Sequence, residues 1–415
     1  MARRHVITGI DFGSSAIRAV MGTTQGQDQQ CSIIGVAEVP SAGITKGAIT
    51  SIEDTVSALS LCLEQLERMS GVPVESAYVG IATPMITSIP SHGVIAVSRA
   101  NGEIREEDVE RAIEAAQAVA TPPNAEILHV IPRYFTVDQQ TGIKDPVGMT
   151  GVRLDVEAKI IQGLSSQIRN VTKTVFRAGI DIDDIVFSIL AAAEATLTPR
   201  QKELGVAIVN IGSALTSMAI FEEGDLLATA VIPIGGSHVT SDVAIGLRTS
   251  LEVAEKLKLE YGQGIAAEVS KREEVNLSEY SDTEHERVSV RQICDIIEAR
   301  VEEIFEHVDR ELVKYNRSGM LPAGVVLTGG GAKLPGLTEV AKRVCRLPSS
   351  LGLPVNVMSP IDKVQDTTFT TASGLVRWGF ELSKNAGNSH FKFSQISSFK
   401  DAPRHVLHWF RSLLP

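Results

Sequence analysis

Val6-Ile7-Thr8-Gly9-Ile10-Asp11-Phe12-Gly13-Ser14-Ser15-Ala16-Ile17-Arg18-Ala19-Val20 is a β-rich apolar run, a turn of small residues and a second apolar run. Its first half predicts a strand over Val6 to Ile10, and its second half a strand from Ala16 to Met21. The unit recurs. Ile10-Asp11-Phe12-Gly13-Ser14-Ser15 lines up with Val209-Asn210-Ile211-Gly212-Ser213-Ala214 at an offset of 199 residues, again with apolar runs on either side. Two half-chains therefore each begin with the same strand–turn–strand unit. A third turn, Thr328-Gly329-Gly330-Gly331-Ala332, follows the apolar strand Gly324 to Leu327.

Outward from these turns, strands and helices alternate. Val56, Leu59, Leu63 and Leu66 recur at helical spacing in Glu53 to Met69, with Gly71 placed to end the helix. Glu106 to Ala118 reads as an amphipathic helix, and Ala77 to Ala82, Val94 to Ser98, Glu126 to Val137 and Leu154 to Gln162 as strands. The class implied is α/β. With 415 residues, 43% hydrophobic and 21% charged, the chain has globular composition and room for several compact units. A net charge of −11 argues against nucleic acid as a partner. Cys31, Cys62, Cys294 and Cys345 are scattered, which suits small core residues in a reducing compartment. The start, MARRHVITGIDFG, lacks the apolar core of a signal peptide, and no run of about 18 apolar residues occurs, so a soluble body is expected.

A nucleoside triphosphate needs backbone N–H groups aimed at its oxygens, and turns without bulky side chains let the backbone approach. Gly13-Ser14-Ser15 and Gly212-Ser213-Ala214 meet that need. Asp11 is placed to orient a hydrated Mg²⁺, an ion that keeps several of its waters. Gly329-Gly330-Gly331 suits close approach to a base or an α-phosphate. Other chemistry is missing: there is no G-x-x-x-x-G-K-[ST], and the nine histidines show no metal spacing. Gly262-Gln263-Gly264 follows the helical run Leu251 to Tyr261, not a strand, and is discounted as a dinucleotide fingerprint.

GIDFGSSAIRAV, VAIVNIGSALTSMAIF and VVLTGGGAKLPGL resemble the two phosphate motifs and the adenosine motif of the actin, Hsp70 and sugar kinase superfamily. SAGITKGAI (41–49), KELGVAIVNIG (202–212), VIPIGGSHVTSDVAIGL (231–247) and FTTASGL (369–375) narrow the resemblance to the FtsA family of bacterial division proteins, over nearly the whole chain. It implies an actin-like fold of duplicated ribonuclease H-like domains holding ATP and Mg²⁺. The expected parts are a first core (1–85 and 161–200), an insertion subdomain (86–160), a second core (201–236 and 321–383) and a helical subdomain over the nucleotide (237–320). By the resemblance, Asp11, Gly13, Ser14, Ser15 and Arg18 surround the β/γ-phosphates and metal, Gly212 and Ser213 oppose them, and Gly235 and Gly236 lie near sugar and phosphates. Gly329, Gly330, Gly331 and Ala332 serve the adenosine. Glu255 and Lys258 match a ribose–adenine pair; a solvated i, i+3 salt bridge is the other reading of those two. The family's second turn normally carries carboxylates where this chain has Asn210 and Ser217. Asn210 would hold a metal only weakly, so slow or absent hydrolysis is expected.

From Lys384 onward, five basic residues stand against Asp401 alone, about +4 on an otherwise acidic chain. A linker is expected over 384–403 and a helix over 404–415. On that helix Val406, Leu407, Trp409, Phe410, Leu413 and Leu414 share an arc of roughly 160°, with Arg404 and Arg411 opposite. Docking on the protein's own core and insertion into an anionic membrane surface are both open to such a helix; the resemblance implies the membrane. It also implies FtsZ, further copies of the chain in a filament, and later division proteins as partners. A small-molecule kinase and a pilus-assembly scaffold of related fold are the alternatives.

Overall fold

The computed structural model describes residues 6–25, 30–118, 122–281, 285–355 and 357–388. The opening run forms β1 (Val6–Phe12), buried along most of its length as a strand covered on both faces must be. β2 (Ala16–Gln25) returns antiparallel with Arg18 opposite Asp11, and β3 (Gln30–Pro40) extends the ladder. A small hairpin of β4 (Ile44–Thr45) and β5 (Ala48–Ile49) leads into α1 (Ile52–Ser70). The Ser51 hydroxyl accepts the Asp54 N–H at the start of that helix, and Gly71, with φ of 70°, ends it. β6 (Ser76–Ile81) then pairs parallel to β1.

The chain next leaves this sheet. β7 (Thr87–Ala96), α2 (Glu106–Gln117), β8 (Ala125–Val137), β9 (Gln140–Ile143) and β10 (Arg153–Leu164) make a separate four-stranded sheet, order β7-β10-β8-β9. It has its own core, in which Val109 and Ile113 of α2 meet Phe135 and Val156. β10 continues past residue 160, where the insertion was expected to end, because Gly163 and Leu164 still pair with Glu126 and Ala125 of β8. α3 (Ser165–Arg177), β11 (Asp181–Phe187) and α4 (Ser188–Thr196) complete the first half.

After α5 (Pro199–Leu204) the pattern repeats as β12 (Val206–Ile211), β13 (Thr216–Glu222) and β14 (Asp225–Ile232). α6 (Gly236–Leu247), α7 (Leu251–Tyr261), the small hairpin β15 (Glu274–Asn276) and β16 (Arg287–Ser289), and α8 (Val290–Lys314) follow. β17 (Val325–Thr328), α9 (Leu337–Cys345), β18 (Ser349–Leu351) and α10 (Thr370–Asn388) close the half. The two large sheets have orders β11-β6-β1-β2-β3 and β14-β13-β12-β17-β18. Read from opposite ends these are one permutation, and Asn210 faces Ser217 where Asp11 faces Arg18. The duplication suggested by one six-residue match thus extends to strand order and register. α4 follows β11 as α10 follows β18, and these two equivalent helices pack on each other between the halves. α10 also reaches beyond Lys384, where a linker was expected to start. A helix already formed gains a hydrogen bond per added residue without a new nucleation cost, so polar residues extend it. The expected helix over 404–415, and most of the linker before it, lie outside the described residues.

The inserted sheet rises from the first half yet also touches the second. Lys144 forms an ion pair with Asp225 on β14, and the Lys159 ammonium lies 5.9 Å from the Tyr315 ring centroid. The Asp225 side chain is only 14% exposed, so losing its cation leaves a carboxylate poorly solvated. Lys144→Ala is expected to destabilise the protein to urea by about 1 kcal/mol, Lys144 being itself partly solvated. Adding Asp225→Ala should recover part of that loss; strictly additive effects in the double variant would show that the pair carries no coupling.

Candidate functional site

The β1–β2 and β12–β13 turns face each other across an open cleft lined by both. Each turn is held from behind. The Ser41 hydroxyl donates to the Gly13 carbonyl at 2.6 Å, and the Gly47 N–H donates to Ser14 Oγ at 2.9 Å. On the other side, the Gly236 and Ser237 N–H groups donate to the Gly212 and Ser213 carbonyls at 2.9 and 2.7 Å. The second turn is therefore fixed by the first residues of α6, as the first is by the segment around the β4–β5 hairpin.

The mirror relation extends to side chains. Ser188, the first residue of α4, donates to Asp11 Oδ1 at 3.2 Å; Asn210 Nδ2 donates to Thr371 Oγ1 of α10 at 3.2 Å. All four residues line the cleft. Burial pushes the Asp11 carboxyl up to about 6, against the opposing pull of Arg18 and the Ser188 hydrogen bond. Asn210 places a neutral amide at the equivalent position. Arg18 lines the cleft too, but Nη2 is bonded to Glu38 at 2.6 Å, and Glu38 also pairs with Lys363 at 3.0 Å. Its Nε is buried and has no partner among the described residues.

Of the residues expected at the site, Asp11, Gly13, Ser14, Ser15, Arg18, Asn210, Gly212, Ser213, Gly329 and Gly330 line this cleft. Gly235, Gly236, Glu255, Lys258, Gly331 and Ala332 do not line it. Gly235 and Gly236 sit directly behind the second turn. Lys258 bonds Glu255 at 2.6 Å, Thr240 Oγ1 at 2.9 Å and the Gly236 carbonyl at 3.4 Å, so the pair forms the i, i+3 bridge and also abuts the site's rear wall. Gly331 packs against Ile211, and the Ala332 side chain is core. Phe12, Ala82, Ala214 and Ser217 line it too, as do Gly47, Leu215, Ser188, Thr367, Thr368 and Thr371, six residues for which the sequence suggests no individual role. Gly47 and Thr371 fall inside SAGITKGAI and FTTASGL, so a signal was present. Ser188 carried none, being 177 positions from its partner.

Small-residue turns with free backbone approach and a buried, unpaired Arg18 nitrogen fit a polyphosphate. No group of three or more acidic, His or Cys side chains capable of holding a metal occurs among the described residues. A cation here would be held by Asp11 together with waters and phosphate oxygens, which suits Mg²⁺.

Two halves of identical strand permutation, packed through a pair of equivalent helices and presenting mirrored turns to one cleft, define an actin-like fold. Solved structures agree: the PilM–PilN type IV pilus biogenesis complex matches with a TM-score of 0.65 at 17% identity over 90% of this chain and 98% of that one. MreB5 of Spiroplasma citri bound to ADP matches with a TM-score of 0.55 at 14% identity over 93% and 99%. Sequence is more specific. The family model "Cell division protein FtsA" matches residues 207–374, and "SHS2 domain inserted in FTSA" matches 84–162. The chain is 35% identical to the cell division protein FtsA of Pseudomonas aeruginosa over 96% of this chain and 94% of that protein. It is 40% identical to that of Bacillus subtilis over 91% and 84%. The chain belongs to the FtsA family of cell division proteins.

Proposed function

We propose that this division protein binds ATP with Mg²⁺ in the cleft, assembles with its own kind, and tethers FtsZ to the cytoplasmic face of the membrane, where later division proteins join it. The observation that carries the reading is the pair of mirrored turns, Gly13–Ser15 and Gly212–Ala214, lining one cleft together with Asp11 at the end of β1. Nucleotide acts here mainly as a ligand that holds the two halves together. With the Asn210 amide donating a hydrogen bond to Thr371 Oγ1 and Ser217 opposite it, the second turn lacks a carboxylate to orient an attacking water, so turnover is slow. A phosphotransfer enzyme of the same fold would need that function at the cleft, which disfavours the kinase alternative. The similarity to the pilus complex is one of fold, whereas the sequence relationship is to division proteins.

None of the described helices is long and apolar enough to cross a membrane. Membrane contact falls to the sequence Arg404–Pro415, in which a helical projection would set Trp409, Phe410 and the leucines opposite two arginines. A dozen-residue helix is marginal in water and binds reversibly when single, so many copies on one polymer gain by avidity. Sedimentation of FtsZ with anionic liposomes and ATP tests the whole reading. FtsZ should pellet with lipid when the full chain is present, and remain in solution with Trp409→Glu or with the chain truncated after Pro403. Equal FtsZ in the pellet for all three proteins, or none with the full chain, would refute the tether.

A further inference from the structure

The segment 41–50 is tied to the first turn more closely than a connecting loop requires. The Ser41 N–H donates to the Ser15 carbonyl at 3.0 Å, the Ser41 hydroxyl to the Gly13 carbonyl, and the Gly47 N–H to Ser14 Oγ. The same segment reaches the opposite half. A Cβ built on Gly47 would lie 2.8 Å from Leu215 Cδ1, in the second turn, and would overlap the Ala82 carbonyl oxygen. Gly47 has φ of 73° and Lys46 φ of 50°, so the β4–β5 hairpin turns through two left-handed residues. A two-residue hairpin loop of this kind requires both central residues to be left-handed, so the tight β4–β5 pairing fixes where Lys46 and Gly47 sit. Gly47 itself lines the cleft, between the turn that carries Asp11 and the turn that carries Gly212.

Charge supplies the second line of argument. A triphosphate exceeds a diphosphate by one phosphoryl group and about one negative charge, and discrimination needs a cation at the far end of the phosphate tail. Arg18 keeps an unpaired Nε but shares its charge with Glu38, which in turn holds Lys363. Lys46 is exposed and forms no ion pair with another described residue. It immediately precedes a cleft-lining residue that spans both turns.

We propose that the Lys46–Gly47 turn is a third element of the phosphate site, one that distinguishes a nucleoside triphosphate from a diphosphate. Gly47 lets the backbone lie across the two turns without a side chain in the way. Lys46 meets the terminal phosphate, which a diphosphate lacks. The inference rests on nucleotide binding in the cleft, and its test separates the two. Titration calorimetry with Mg-ATP and Mg-ADP is compared for the wild-type chain, Lys46→Ala and Lys46→Arg. Lys46 is exposed, so its replacement leaves the core intact. One charge-assisted contact corresponds to about tenfold in affinity. Lys46→Ala should therefore weaken ATP by about tenfold while ADP changes less than about twofold, and Lys46→Arg should restore the ATP preference. Equal weakening of both nucleotides, or no change in either, overturns the proposal while leaving nucleotide binding intact. Failure of the wild-type chain to bind either nucleotide overturns the proposal together with the reading it rests on.

Discussion

Asp11→Asn is expected to raise the stability of the nucleotide-free protein while lowering its affinity for Mg-ATP by on the order of a hundredfold. Both effects have one origin. Burial lifts the Asp11 carboxyl from an ordinary 3.8 to about 6, so the folded protein binds that proton more tightly than the unfolded chain does. The sign follows from linkage: below about pH 4 both states are protonated and the group adds no pH-dependent cost. Between about 4 and 6 the unfolded carboxyl ionises first, stability falls, and above about 6 the full cost, about 3 kcal/mol, is in place. An asparagine carbonyl still accepts from Ser188 but carries no charge to desolvate. The variant should therefore melt higher than wild type at pH 8, with the difference shrinking towards pH 4. Nucleotide binding moves the other way with pH, because the cation needs the carboxylate: Mg-dependent affinity of the wild type should weaken as pH falls through 6. Thermal melts across pH and calorimetric titration with Mg-ATP check the two halves. An Asn variant that binds Mg-ATP like wild type would remove Asp11 from the site.

The contrast between Asp11 and its mirror Asn210 shows how far sequence carries. The match of Ile10–Ser15 to Val209–Ala214 was enough to infer a duplicated α/β chain, because apolar runs broken by small residues have few other readings. It located both turns; the third Gly-rich turn and the family resemblance added Gly329, Gly330 and Arg18, all three of which also line the cleft. Ser188 and Thr371 escaped because their role lies in a contact between elements, 177 and 161 positions from their partners, and no local pattern encodes such a contact. Gly331 and Ala332 show the converse. The motif around them is legible, but a 3₁₀ turn over Gly330–Lys333 sends Ala332 into the core, a detail that composition does not specify. Glu255 and Lys258 had two readings: they form the i, i+3 pair and neither lines the cleft, although Lys258 also touches the wall behind the second turn.

Gly374→Val is expected to prevent the chain from folding to a soluble form, and Gly374→Ala to lower both its melting temperature and its nucleotide affinity. At Gly374, α10 crosses α4 so closely that an added Cβ would overlap the Ala191 carbonyl and lie 3.2 Å from its Cα. The neighbours offer no relief: Ala191, Ala192, Ala193 and Ser373 are fully buried, and the obstacle is backbone, which has no rotamer to change. Overpacking a core by a methylene typically costs about 1–3 kcal/mol, and a valine at a backbone–backbone crossing exceeds that. Alanine gains only about 0.5–1 kcal/mol from its better helix propensity, too little to offset the clash. The functional consequence follows from where the helices point. Ser188 opens α4 and Thr371 lies in the first turn of α10, each bonded to the polar residue of one mirrored turn, so forcing the helices apart moves Asp11 away from Asn210. Gly330 provides the comparison, since an added Cβ there meets only Thr368 Cγ2 at 3.5 Å and φ is ordinary. Gly330→Ala should melt within a degree or two of wild type. If Gly374→Val folds and melts like the Gly330 variant, the α4–α10 crossing is not the tight backbone contact that the added Cβ would violate.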